Sequence, residues 1–184
     1  RNDDCLWYAR LLKSLDVSGL DDVILSALPQ QDEKTRIALL AMLSPEAGEK
    51  AIPVLESLSA EAGPELMAAI LQASNRLPAG LSRDFNLKVI DARQDPLIQA
   101  WAVAGPYPQP PPHYASILAD WFASGHLEGK KAAAIAAGGS GDGAYLPRLQ
   151  KMLAKEDDPA LLVLVLEAIR RLAPADINAL VEPF

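Results

Sequence analysis

Ile52-Pro53-Val54-Leu55-Glu56-Ser57-Leu58 and Leu146-Pro147-Arg148-Leu149-Gln150-Lys151-Met152 follow one pattern. Each has an aliphatic residue, then Pro, then an aliphatic two residues on (Leu55, Leu149) and another apolar residue three after that (Leu58, Met152). The likeness continues outward. Each stretch is followed by an Ala (Ala60, Ala154), then a Pro (Pro64, Pro159) and a Leu two residues later (Leu66, Leu161). Each closes on Arg-Leu (Arg76-Leu77, Arg171-Leu172) with a Pro nearby (Pro78, Pro174). The two Ile/Leu-Pro steps are separated by 94 residues, or three periods of about 31. A fixed period of this size marks a chain built from repeated supersecondary units. The units read as Leu20 to Gly48, Lys50 to Gly80, Ser82 to Gln109, Pro112 to Asp142 and Ala144 to Pro174.

The last unit shows what each contains. Tyr145, Leu149, Met152 and Leu153 form one apolar stripe, with Arg148, Gln150 and Lys151 opposite. That spacing predicts an amphipathic first helix. Asp158 is placed to cap a second helix, with Pro159 in its first turn, where a missing N–H costs nothing. The run Leu161 to Leu166 has no polar residue, so this helix needs cover on several sides. Neighbouring pairs would supply it. Asp95-Pro96 and Gly63-Pro64 are equivalent starts in the third and second units. Gly48, Gly80 and the Gly138 to Gly143 stretch are expected to end helices through left-handed backbone. Leu6 to Leu15 reads as the second helix of a pair, and Asp176 to Val181 as the start of another first helix. The expectation is an all-α chain: an α-solenoid of about five helical hairpins over 1–184, with a partial repeat at each end. The solenoid is further expected to be a piece of a longer protein. Pro108-Gln109-Pro110-Pro111-Pro112 places an elbow at 105–113, or alternatively a polyproline ligand flanked by Tyr107, His113 and Tyr114.

Composition narrows the function. The chain is 50% hydrophobic with 22% charged residues, a balance that suits an ordinary folded core. Its net charge of -7 argues against nucleic acid, whose phosphates call for a basic face. No apolar run reaches the ~20 residues a membrane span needs. The single cysteine, Cys5, excludes an internal disulfide and leaves the compartment open. His113 and His126 are the only histidines, and they make no metal-ligand spacing with Cys5. Gly138-Gly139-Ser140-Gly141-Asp142-Gly143 lacks both the Lys of a phosphate loop and the second Gly of a nucleophile elbow. The clusters Asp21-Asp22, Asp32-Glu33 and Glu156-Asp157-Asp158 fall at helix starts, where negative charge complements the helix dipole. No catalytic, cofactor or metal site is expected.

Ala133 to Pro147, with its Ala-rich helix end, Gly-rich turn, Gly-Asp and Leu-Pro, resembles the junction of bacterial HEAT repeats. Asp157-Asp158-Pro159, the apolar helix and Arg170-Arg171-Leu172 resemble the rest of that armadillo-type repeat. Ala160-Leu161 stands where the family has Val-Arg. The resemblance implies an α-solenoid used mostly for protein binding and scaffolding, with the compartment, bacterial cytoplasm or periplasm, left open. Related branches, with phycobilin lyases in one and DNA glycosylases in another, keep a lyase-like accessory role as the alternative, beside a structural domain of a larger assembly. In such stacks the second helices line the concave face. The candidate contacts for a protein or peptide partner are therefore Gln72, Asn75, Arg76, Gln99, Trp101, Lys130, Lys131, Glu167, Arg170 and Arg171. Trp101 could equally be core, as could Trp7 and Trp121.

Overall fold

The computed structural model describes residues 2–92, 94–105 and 114–173. Among them there are eleven α-helices and no strand. The elbow's Pro108 to Pro112, His113 and the partial helix at Asp176 to Val181 lie outside the described residues.

The helices follow one another along the chain. α1 is Asn2–Ser14. The first segment then holds α2 (Leu20–Ala27) and α3 (Glu33–Leu40). The second holds α4 (Gly48–Ser59) and α5 (Pro64–Ser74), and the third α6 (Ala79–Ala92) and α7 (Pro96–Val103). The fourth holds α8 (Tyr114–Ala123) and α9 (Leu127–Ser140), and the fifth α10 (Leu146–Leu153) and α11 (Pro159–Leu172). The chain divides into two compact units, Arg1–Lys88 and Val89–Phe184, with the boundary inside α6.

Second helices begin where short-range chemistry starts them. Asp158 accepts from Leu161 N–H at 2.8 Å, and Pro159 opens α11. Asp95 accepts from Leu97 N–H at 2.8 Å and Ile98 N–H at 3.2 Å ahead of Pro96. Asp32 does the same for Thr35 N–H at 2.8 Å in α3. Each bond satisfies an N–H that the helix itself cannot. Replacing Asp95 with Ala should therefore cost about 1 kcal/mol, read as a lowered urea midpoint at unchanged slope.

In the first unit α3 packs on α1 and α5, while α4 packs on α5. Its core is Leu39, Leu40, Leu55, Met67, Ile70 and Leu71, all nearly or fully inaccessible. In the second unit α9 is the centre, touching α7, α8 and α11, and α10 packs on α11. Small side chains put it there. Ala132 to Ala134, Ala136 and Ala137 are fully buried, so neighbouring helices approach from several sides. The Tyr114 hydroxyl pins α8 to α9 through the Ala136 carbonyl at 2.9 Å.

Three local expectations are corrected. Gly138 and Gly139 do not form a turn: α9 runs through them to Ser140 and ends at Gly141, whose φ is 68°. Gly80 lies within α6 rather than ending a helix. The apolar run of α11 is covered toward α9 and α10 by Leu161, Val165 and Ile169, but Val163 is 65% exposed. Of the tryptophans, Trp121 is core, whereas Trp7 is 59% exposed beside an equally exposed Tyr8.

Candidate functional site

Some of the residues predicted from the second helices gather in each unit, and others lie apart. In the first unit α3 and α5 flank a cavity of about 310 Å³ lined by Ile37, Ala41, Glu65, Ala69, Gln72 and Arg76. The Arg76 guanidinium donates to the Leu40 carbonyl at 2.5 Å. Its desolvation there lowers its pKa, though an arginine starts so high that it stays charged. Gln72 is exposed. Asn75 faces α6 instead. It accepts from Asn86 Nδ2 at 2.7 Å and so ties α5 to α6.

In the second unit Trp101, Glu167 and Arg171 line one small cavity with Ile135, Leu164 and Gly138. Trp101 is half-buried, so it serves the core and still presents a face. Glu167 receives Arg170 Nη2 at 2.7 Å and Nε at 2.9 Å, and Arg171 Nε at 3.1 Å. The hydrogen bonds from Arg170, then those from Arg171, hold the Glu167 carboxyl down at about 2. Lys131 pairs with Asp158 at 3.5 Å. The Leu161 N–H and then Lys131 hold the Asp158 carboxyl below its usual range. Gln99 donates to the Ile90 carbonyl at 3.4 Å.

The Glu167 cluster has a pH signature. A carboxyl depressed on folding adds stability that is complete above its unfolded value near 4.5 and is lost as pH falls toward 2. Carbon-detected NMR should show Glu167 titrating with a midpoint near 2. A midpoint near 4.5 would mean that the Arg170 fork does not persist in solution. The effect on global unfolding should be small, because the cluster is solvent-exposed.

Lys130 belongs to a third place that sequence reasoning missed. It donates to both oxygens of Glu156, at 2.8 and 2.9 Å, and lines a cavity of about 380 Å³ beside α8 and α10. Arg148, Lys151 and Lys155 also line it, with half-buried Phe122 and Met152. The Arg148 guanidinium lies 5.4 Å from the centre of the Phe122 ring, which stacks on Tyr145 at 6.0 Å. Burial, then the charge of Asp142, pushes the Tyr145 hydroxyl up, against the opposing pull of Arg148. The signal was present in the spacing. Positions 148 and 151 share one stripe of α10, and Lys155 follows in the turn just past its end.

Among the described residues no three His, Cys, Asp or Glu side chains converge as metal ligands would, and no helix is long and apolar enough to cross a membrane. No family model, curated protein or solved structure matches the chain.

Proposed function

We propose that each unit is a stretch of HEAT-like α-solenoid and that the chain is a scaffold holding a protein or peptide partner against its second helices. The carrying observation is the packing order. Second helices pack on second helices (α3 on α1 and α5, α9 on α7 and α11), while α4, α8 and α10 each pack on the second helix of their own pair. A pair in such a stack is stable because its neighbours cover its apolar side, which leaves polar positions of the spine for recognition. Gln72 with Arg76, and Trp101 with Glu167 and Arg171, are the positions grouped in this way. Trp and Arg are the side chains most used as interface anchors. The sequence resemblance to bacterial HEAT repeats supports the same reading.

Site-specific photocrosslinking tests it. A benzoylphenylalanine at Gln72 or at Arg171 should give discrete adducts in a lysate of the source cells. The same group at Ser57 on α4 or Lys88 on α6, both exposed first-helix positions, should not. Equal labelling from all four positions, or none from any, would remove the second helices as the binding face.

A further inference from the structure

The cavity beside α8 and α10 runs against the charge of the chain. The protein carries a net -7. Yet Lys130, Arg148, Lys151 and Lys155 meet a single carboxylate, Glu156, around this one cavity. Glu156 is committed to Lys130. Among the described residues, Arg148, Lys151 and Lys155 have no carboxylate partner. All three are exposed and stand over half-buried apolar groups, Phe122 and Met152. Cations gathered in this way repel one another, and a bound anion would relieve that repulsion.

From this geometry we propose that the cavity docks an acidic protein segment. One apolar side chain of the segment rests on Phe122 and Met152, between carboxylates held by Arg148, Lys151 and Lys155. Its volume of about 380 Å³ takes a few side chains. The guanidinium of Arg148 is already oriented by the Phe122 ring, so its planar fork can receive a carboxylate with little further ordering. A nucleic acid strand fits worse. It would extend past the three cations and meet a protein of net -7. The docking does not depend on what the second helices hold, since none of Arg148, Lys151 or Lys155 lies on a second helix.

Fluorescence anisotropy with purified protein tests the proposal. The probe is a short fluorescein-labelled peptide built only of Glu and Leu. The expected result is saturable binding that weakens about tenfold or more in Lys151→Glu/Lys155→Glu. Lys50→Glu/Lys88→Glu makes the same change in net charge in the first unit, at exposed positions, and should bind as the parent does. Equal loss in both variants would reduce the effect to overall charge and overturn the proposal. So would absence of saturable binding, equal binding of a Lys/Leu peptide, or tighter binding of a single-stranded oligonucleotide. Should the first variant not fold, the Phe122 ring protons of the parent protein decide. They should shift on peptide addition, and unmoved signals would overturn the assignment.

Discussion

Replacing Gly139 with Ala should destabilise the protein by about 2–3 kcal/mol, although Ala is intrinsically the better helix former by about 1 kcal/mol. A Cβ at this position would come within 2.5 Å of Ala104 Cα and Cβ, and closer still to the Ala104 carbonyl oxygen. Those atoms are backbone and the first side-chain carbon, so no rotamer change clears the space. The end of α7 would have to move off α9. At Gly138 the obstacle is Ala168 Cα and Cβ at 2.8 Å, so Gly138→Ala should cost less, about 1–2 kcal/mol. Two further glycines separate packing from backbone effects. Gly80 has nothing within 4 Å and no positive φ, and Gly80→Ala should be neutral or stabilising by up to about 0.5 kcal/mol. Gly141 also has open space, but its φ of 68° makes Gly141→Ala cost about 1 kcal/mol. Urea titrations followed by Trp fluorescence measure all four. Equal effects at Gly139 and Gly80 would mean that α7 and α9 are not in close contact.

Asn86→Ala should cost about 2–4 kcal/mol, through both a cavity and the loss of two buried hydrogen bonds. Asn86 is fully buried in α6. Its Oδ1 accepts from the Ser74 hydroxyl at 2.8 Å, and its Nδ2 donates to Asn75 Oδ1 at 2.7 Å. Ser74 is itself fully buried, with the Leu71 carbonyl 3.0 Å away as its other acceptor. Removing Asn86 thus takes one partner from Asn75 in a place with little water. Ser74→Ala should be milder, and the Ser74→Ala/Asn86→Ala cycle should show a coupling of about 1 kcal/mol. Independent additive losses would mean that the hydroxyl already spends its proton on Leu71.

What could be read from the sequence was what neighbouring residues decide among themselves. Asp158-Pro159 and Asp95-Pro96 start helices because a carboxylate and the following N–H groups lie within a few residues. The all-helical class was legible for the same reason. Gly138 and Gly139 were misread because a Gly-rich run is locally a turn signal. Only Ala168 and Ala104, each far along the chain, explain why Gly is needed inside a helix. Asn75 was read as surface, since nothing local announces Asn86 eleven residues on. Of the predicted contact set, Gln72 joined Arg76 and Glu167 joined Arg171 because each pair is four residues apart, at the end of α5 or on α11, whereas Trp101 of α7 meets the second pair only through packing between helices. Lys130 went elsewhere, because Glu156, its partner, sits in a loop whose position periodicity does not describe. The pairing of Arg148 with Lys151 on one helix face could be spaced from sequence, but Lys155 lies past the helix end and Phe122 beneath Arg148 comes from α8.

The helix order in the second unit can be read in one NOESY spectrum with labelled Ala methyls. Cross-peaks should join the Ala104 methyl to the Gly139 α-protons and the Ala168 methyl to those of Gly138, with α9 receiving α7 and α11 together. A spectrum in which either methyl sees no proton of α9 would take the spine apart, and the partner-binding face proposed on it would not survive.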